Sequence, residues 1–120
     1  MPTTFSQMTP TKGEIYMTDF QGSGSQPQGI RPAVIVQNDF LNESLLKTTM
    51  VCVFTSVIRD LSTQPLVMPS AMNGLTKESA VKCEQVMTIN KSQLIRKMGG
   101  LSPEQLEAIN KAILLSLDLC

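Results

Sequence analysis

The chain has 120 residues, 42% of them hydrophobic and 17% charged, and its 10 lysines and arginines balance its 10 aspartates and glutamates. This composition is that of one globular domain, and it excludes both a disordered chain and a strongly basic protein that coats nucleic acid. The sequence contains no histidine, which removes the commonest general acid–base residue and the commonest metal ligand. We therefore expect no metal site and no cofactor.

The N-terminal residues and the cysteines indicate the cellular setting. Residues 1–11 are rich in threonine, serine and proline and predict a flexible tail before a single domain over residues 12–120. The tail lacks a basic start and an apolar core, so we expect no signal peptide, and no apolar run approaches the ~18 residues of a membrane span. Cys52, Cys83 and Cys120 show no C-x-x-C spacing and are interpreted as structural residues in a reducing cytoplasm.

Short strands with turn signals between them fill the first part of the chain. The segment GEIYMTDF, which starts at Gly13, predicts a first strand, and the glycine-rich connection from Gln21 to Gly29 predicts a long loop that is either functional or disordered. The apolar run from Ala33 to Val36 predicts a second, buried strand. Arg31 stands at its start, where the following proline, Pro32, favours an extended backbone.

The middle of the chain continues the pattern. NDFLNESLL predicts one helical turn, and the apolar run from Met50 to Phe54 predicts a third strand that ends on two hydroxyl residues. A short edge strand is expected between Pro65 and Pro69, and a turn at Asn73-Gly74. The segment SAVKCEQVMTIN then predicts a strand with a bend near Glu84.

Two helices are expected at the C-terminal end. KSQLIRKMGG predicts a short helix closed by Gly99-Gly100. SPEQLEAINKAILLSL predicts a longer one, with Ser102 as N-cap, Pro103 in the first turn and Gln105 completing a capping box. The second helix has one apolar face, which is formed by Leu106, Ile109, Ile113 and Leu117.

The order of these elements predicts a fold that is mainly β with a C-terminal helix. Because strands and helices do not alternate, a small and strongly bent barrel is favoured over a parallel sheet. Polar residues adjoin the apolar strands at three places: Arg31, Thr55-Ser56 and Glu84-Gln85. Taken singly, each is consistent with an ordinary surface charge, strand terminus or solvent-facing edge.

Four motifs occur in a fixed order and carry a resemblance to a known family. They are G-[DE]-[IV] at Gly13–Ile15, R-P-x-x-[IV]-[IV]-x-N-D at Arg31–Asp39, E-Q-[IV]-x-T-[IL]-x-K at Glu84–Lys91, and L-S-x-E…S-L-x-L at Leu101–Leu119. Together they resemble the MazF/PemK family of toxin endoribonucleases, and the similarity runs from about Lys12 to Leu119.

The resemblance implies a small SH3-like (plug-in) β-barrel of the MazF/CcdB toxin type that works as a homodimer. It implies a toxin that cuts single-stranded RNA at specific sequences, is inhibited by a cognate, MazE-like antitoxin, and binds operator DNA in complex with that antitoxin. By position, the catalytic residues match Arg31 and Thr55. The RNA-binding residues match Ser25, Gln26, Gln28, Ser56 and Gln85.

The chain departs from the family pattern at two positions. Gln26 stands where the loop of many members has glutamate, and Met87 stands where the usual E-Q-I-R-T run has arginine. Both changes bear on the RNA sequence recognised and on the charge of the binding groove. Neither alters Arg31 or Thr55.

The implied chemistry agrees with the composition. When the 2′-hydroxyl of RNA attacks the adjacent phosphate, the protein has to position the phosphate and stabilise its developing charge. A guanidinium and a hydroxyl can do so without a metal or a histidine. The sequence leaves the proton transfer open between Arg31 itself and a carboxylate such as Glu14, Asp19 or Glu84.

Two other functions are compatible with the same barrel. CcdB-like toxins bind DNA gyrase and catalyse no reaction, in which case Arg31 would be a structural residue. A barrel that only binds an antitoxin-like partner and represses transcription is a third hypothesis, for which Met87 is the best support. The R-P…N-D and E-Q-V-x-T-I runs favour the ribonuclease.

Overall fold

A computed structural model describes residues 9–119 of the chain. Most of the expected tail, residues 1–8, and Cys120 lie outside the described residues. Of the remaining tail, Pro10 is buried and the backbone N–H of Thr11 donates to the Glu14 carboxylate over 2.8 Å. Neither helix within residues 9–119 has the length and apolar character that a membrane crossing requires.

Seven strands and two α-helices make up the described chain, with a 3-10 turn over Lys91–Gln93. In chain order they are β1 (Glu14–Gln21), β2 (Gln28–Ile35), α1 (Asp39–Asn42), β3 (Thr48–Thr55), β4 (Leu66–Val67), β5 (Ser79–Val81), β6 (Met87–Asn90), β7 (Leu94–Gly100) and α2 (Pro103–Ser116). The fold predicted from the sequence, mainly β with a C-terminal helix, is confirmed.

The central strand of the sheet is β3. One of its edges pairs with β2, and the other edge pairs with β6 over Thr48–Val51 and with β5 over Phe54–Thr55. The sheet continues through β2 to β1 and β7 on one side and through β5 to β4 on the other, always antiparallel. Since β3 changes partners along its length, the sheet curls into a partly closed barrel.

Both faces of the sheet are buried where β1, β2 from Ala33 onwards, and β3 lie side by side. One face packs against α2, where Ile109 and Ala112 join Ile15 and Cys52 in one apolar cluster. The other face forms a second cluster that includes Ile89 and Leu94 from β6 and β7. Burial on both faces explains why the second and third strands have continuous apolar runs in place of the alternation of a half-exposed strand.

The two described cysteines belong to the core, as the sequence suggested. Cys52 and Cys83 are free, fully buried and members of the cluster that packs against α2. Contact with the Cys83 thiol, and burial, raise the pKa of the Cys52 thiol far above its ordinary value. Cys52 therefore remains protonated and behaves as a small apolar side chain.

The prediction of a helix in KSQLIRKMGG is wrong. After the 3-10 turn, this segment forms β7, which pairs with β1 at the edge of the sheet. The glycines that suggested a helix end have another purpose, because a Cβ at Gly99 would collide with the backbone oxygen of Met72. Gly99 permits close approach of two backbone segments, which is a common use of glycine in strands.

The second strand begins earlier than the apolar run predicts. β2 starts at Gln28, so the loop between β1 and β2 is shorter than the expected Gln21–Gly29. Arg31 therefore lies within β2, opposite Thr18 of β1, and not at the start of the strand. Only the last part of β2, from Ala33, also pairs with β3.

A polar network around Asn42 fixes the short helix α1 to the sheet. The Asn42 side chain accepts hydrogen bonds from Gln37 and Thr49, and the Lys91 ammonium donates to the Asn42 carbonyl over 2.8 Å. Asp39 accepts from the backbone N–H of Lys12 over 2.7 Å. The N-D end of the second motif and the lysine of the third thus have structural partners, since buried polar groups need hydrogen bonds.

The helix α2 follows the prediction closely at its start. Ser102 accepts from the N–H of Gln105 and the Gln105 side chain accepts from the N–H of Ser102, which is the capping box. On the predicted apolar face Ile109 is buried, while Leu117, at the C-cap, is 56% exposed. The apolar face of α2 therefore packs on the barrel over the first turns of the helix and is exposed to solvent near the C-terminal end.

Candidate active site

The site begins where β2 and β3 separate. Their ladder has Ala33 opposite Val53, and the same register continued places Pro32 opposite Phe54. Proline has no N–H to donate, so regular pairing ends there. The Arg31 guanidinium donates to the carbonyl oxygen of Phe54 instead, over 3.1 Å. This bond, the one that the Arg31 side chain makes within residues 9–119, holds the arginine in the fork between the two strands and leaves its other N–H donors open to a ligand.

Thr55 lies next to the arginine. It follows Phe54, the residue that accepts the Arg31 hydrogen bond, and both Arg31 and Thr55 line one cavity of about 380 Å³. Thr55 is 8% exposed, and its Oγ1 accepts a hydrogen bond from the N–H of Val57 over 3.1 Å. Because this bond uses an oxygen lone pair, the hydroxyl proton can be donated to a ligand in the cavity.

The cavity has a positive electrostatic character. Three cationic side chains, Arg31, Lys77 and Arg96, are among its lining residues, and no carboxylate is. Its remaining wall is made of backbone, hydroxyl groups and apolar side chains, including Ser56, Met17 and Leu75. A concave site with clustered positive charge and hydroxyl donors is suited to a phosphate group.

A tight turn forms one wall of the cavity. Asn73 is fully buried, and its side chain accepts from the N–H groups of Ser70 and Leu75 and donates to the carbonyl of Met68. The next residue, Gly74, has a φ of +72°, and a Cβ there would collide with the backbone oxygen of Met98. The predicted Asn73-Gly74 turn is confirmed, and it fixes the distance between this wall and β7.

Four of the five residues matched to RNA binding line one of two recesses. Ser56 lines the cavity that contains Arg31 and Thr55. Ser25, Gln26 and Gln85 line a second recess of about 280 Å³. The Gln85 side-chain oxygen is buried there without a hydrogen-bond partner among the described residues. Buried acceptors normally have a partner, so the hydrogen bonding of this side chain is incomplete within the described chain.

Two further residues show how the second recess is built. Gln28 is exposed and donates from its side chain to the carbonyl of Gly24, so it supports the loop between β1 and β2. Met87, which replaces the usual arginine, also lines the second recess. The cation missing from the family pattern is therefore missing from the second recess and not from the Arg31 cavity.

The three carboxylates considered for proton transfer have other surroundings. Glu14 forms an ion pair of 2.9 Å with Lys97 and accepts from the Tyr16 hydroxyl over 3.1 Å. Glu84 accepts from Gln64 over 2.7 Å. Neither these two nor Asp19 is among the residues that line the Arg31 cavity. The structure thus places Arg31 at this cavity, and places none of these three carboxylates there.

Sequence reasoning missed Lys77 and Arg96. Arg96 was assigned to a helix, so its place beside β1 could not be anticipated. Lys77 follows the Asn73-Gly74 turn, and a single lysine in a polar loop carries no specific signal. An edge-strand interpretation of β7 would have found Arg96, because it would have placed the residue beside the first strand.

Comparison with known proteins identifies the family. The model of the PemK-like, MazF-like toxins of type II toxin–antitoxin systems matches residues 11–117. The chain belongs to this family. The endoribonuclease MazF of Staphylococcus saprophyticus is 34% identical over 110 residues, which cover 90% of this chain and 91% of the relative. The family recognised from the motifs is therefore confirmed.

Solved structures of MazF-type toxins share the fold. The Mycobacterium tuberculosis toxin MazF-mt6 superimposes with a TM-score of 0.75 at 28% identity, over 89% of this chain and 98% of the toxin. A mycobacterial endoribonuclease in complex with its cognate antitoxin gives a TM-score of 0.76 at 26% identity, over 92% and 97% of the two chains. These comparisons give the gyrase-binding alternative no support.

Proposed function

We propose that this MazF-family toxin is a sequence-specific endoribonuclease that cuts single-stranded RNA, including mRNA, and so inhibits translation and growth. The observation that carries the proposal is the shared cavity of Arg31 and Thr55, a cationic site with free donors at the fork of β2 and β3. It is supported by the relative of S. saprophyticus, which is named an endoribonuclease.

In the proposed mechanism the nucleophile is the 2′-hydroxyl of the RNA. Arg31 donates to the non-bridging oxygens of the scissile phosphate and stabilises the charge that develops on them. The Thr55 hydroxyl donates a hydrogen bond to one of these oxygens. Its acceptor bond from the N–H of Val57 holds the hydroxyl in place. The bond from the 2′-oxygen to phosphorus forms as the bond from phosphorus to the 5′-oxygen breaks, and the proton lost by the 2′-hydroxyl is balanced by the one that the leaving 5′-oxygen gains. The products carry a 5′-hydroxyl on one side and a 2′,3′-cyclic phosphate, or its hydrolysed form, on the other.

RNA outside the scissile position binds across both recesses. Ser56 contacts it in the Arg31 cavity, and Ser25, Gln26 and Gln85 contact bases in the second recess. Carboxamides suit this task because each offers a donor and an acceptor to a base edge. Gln28 acts on the RNA through the loop that it supports.

The partners of the proposed toxin are a second copy of itself and an antitoxin in the cytoplasm. Three leucines at and just beyond the end of α2 are exposed. The exposed fractions are 48% for Leu115, 56% for Leu117 and 68% for Leu119. An apolar groove of about 400 Å³ lies between this end of the helix and the sheet, lined in part by Val36 and Met50. Exposed apolar surface of this kind indicates a protein interface. A similar toxin structure contains a cognate antitoxin.

The test is incubation of the purified chain with a long single-stranded RNA in the presence of EDTA. Discrete cleavage products, lost on adding the antitoxin, are expected. A catalytically inactive chain that produces gyrase-dependent DNA breaks in cells would contradict the proposal. Mapping of the RNA ends after brief expression would then give the cleavage sequence.

A further inference from the structure

Arg96 is a cation of the Arg31 cavity that lies on a different strand from the proposed catalytic residues. It belongs to the edge strand β7 and pairs with Met17 of β1, which in turn pairs with Pro32 of β2. All three line the cavity. The position of the Arg96 backbone is thus set by the same ladder that positions Arg31.

The side chain of Arg96 is not paired with any carboxylate in the part of the chain that the structure describes. Within residues 9–119, the one ion pair joins Lys97 to Glu14, and Arg96 makes no side-chain hydrogen bond. Lys97 is therefore neutralised by a carboxylate. Arg96, its neighbour on the strand, is exposed, has no carboxylate partner in the described chain, and lines the same cavity as Arg31. Within the described chain the N–H donors of the Arg96 guanidinium are therefore open to a ligand.

The number of positive charges in the Arg31 cavity indicates how many phosphates it can bind. The scissile phosphodiester carries about one negative charge, and Arg31 alone can neutralise it. Arg96 and Lys77 add two positive charges to the same cavity. A single-stranded RNA has a further phosphate on each side of the one that is cut, so it brings the additional negative charge to this place.

We propose that Arg96 binds the RNA phosphate adjacent to the scissile one. The assignment rests on the proposed function and adds a substrate-binding residue to it. Arg96 suits the task better than Lys77, because its backbone is held in a strand and its guanidinium can bind two phosphate oxygens at once. Arg96 secures the substrate strand and takes no part in the reaction itself.

The first test compares steady-state kinetics of Arg96→Gln, Arg96→Lys and Lys111→Gln. Lys111 is exposed on α2 and does not line the cavity, so its variant controls for the loss of one positive charge. Arg96→Gln should raise KM roughly 10-fold, as expected for one charged hydrogen-bonded contact, and leave kcat within about 2-fold. Arg96→Lys should recover part of the loss, and Lys111→Gln should resemble the wild type.

The second test locates the phosphate. Each phosphate around the cut is replaced in turn by a neutral methylphosphonate, and KM is measured with the wild type and with Arg96→Gln. At one position next to the cut, the replacement should weaken the wild type roughly 10-fold and leave the variant unchanged. The slope of log KM against log salt should also fall by about 0.7 in the variant, the value for one contact to a single strand.

The outcomes are distinguishable. If the wild type cuts RNA and Arg96→Gln keeps its KM, or if the two changes add at every position, the assignment of Arg96 is overturned and the proposed function stands. If the wild type cuts no RNA, both fail. A fall in kcat at unchanged KM would also contradict the assignment, because it would place Arg96 in the chemical step. Thermal unfolding of each variant shows that the fold is retained.

Discussion

The guanidinium of Arg31 donates to the carbonyl oxygen of Phe54 over 3.1 Å and joins β2 to β3 at the point where their ladder has ended. Pro32 causes this arrangement, because it cannot donate the next ladder bond. The arginine therefore combines a structural contact with the position that the proposed catalytic role requires. Its remaining donors face a cavity that also contains the Thr55 hydroxyl.

Arg31→Ala should lower kcat by on the order of 10²-fold or more, since it removes the charge that stabilises the transition state. The fold should persist, with a loss of about 0.5–1.5 kcal/mol in the free energy of unfolding for the bond to Phe54. Single-turnover cleavage and urea unfolding measure the two effects. Lys111→Ala, which removes a charge far along the chain on α2, should change neither. An active Arg31→Ala enzyme would remove this residue from the mechanism.

Thr55→Ala should have a smaller effect on the reaction than Arg31→Ala. The loss corresponds to one hydrogen bond to a charged group, about 1.5–3 kcal/mol in transition-state free energy. Thr55→Ser retains the hydroxyl and should keep most of the rate. If Thr55→Ser were as slow as Thr55→Ala in single-turnover cleavage, the hydroxyl would not be the group that acts.

Much of the fold was predictable because its signals are local. The capping box of Ser102 and Gln105, the Asn73-Gly74 turn and the apolar runs of the buried strands all depend on neighbouring residues. The edge strand β7 was not predictable, because Gly99 is required by contact with a backbone segment about 27 residues away in sequence, at Met72. Its apolar residues are too few to show a strand period.

The candidate site was predictable in part for the same reason. Arg31 and Thr55 belong to strands that the apolar runs indicate, and the family resemblance supplies their roles. That they share a cavity depends on the β2–β3 register, which no local pattern specifies. Arg96 reaches the cavity only through the pairing of β7 with β1, so misassignment of that segment concealed it.

Gly74→Ala should destabilise the protein more than Gly24→Ala. Both glycines have positive φ, +72° and +61°, so alanine at either costs about 1–2 kcal/mol in backbone conformation. Only at Gly74 would the new Cβ collide with a backbone oxygen, that of Met98, whereas nothing lies within 4 Å at Gly24. The collision should add about 1–3 kcal/mol. Equal losses in urea unfolding would show that the wall of the cavity is not tightly packed.

Ionisation of Tyr16 should lower the free energy of unfolding at high pH. Burial, together with the charge and hydrogen bond of Glu14, raises the pKa of Tyr16 from 10.0 to about 12. The folded chain therefore keeps a proton that the unfolded chain has lost between these two values. The stabilisation is complete below pH 10 and is lost as pH rises through 12.

Tyr16 is the only tyrosine and the chain has no tryptophan, so near-ultraviolet absorbance of the phenolate reports its titration directly. Unfolding free energies of the wild type and Tyr16→Phe are compared across this pH range, and the variant should lack the loss that the tyrosine causes. A pKa of Tyr16 near 10 in the folded protein would contradict the prediction.

The 2′-hydroxyl of the RNA is the nucleophile in the proposed mechanism, and one modified substrate tests this directly. A short RNA with a mapped cleavage site is made with a single 2′-deoxy nucleotide immediately 5′ to the cut, and its binding and cleavage are measured in EDTA beside the unmodified RNA. We predict nearly unchanged binding and no cleavage of the modified strand, while the unmodified strand is cut and leaves a 5′-hydroxyl end. Cleavage of the deoxy-substituted strand at the normal rate would contradict the mechanism, even if Arg31 proved essential.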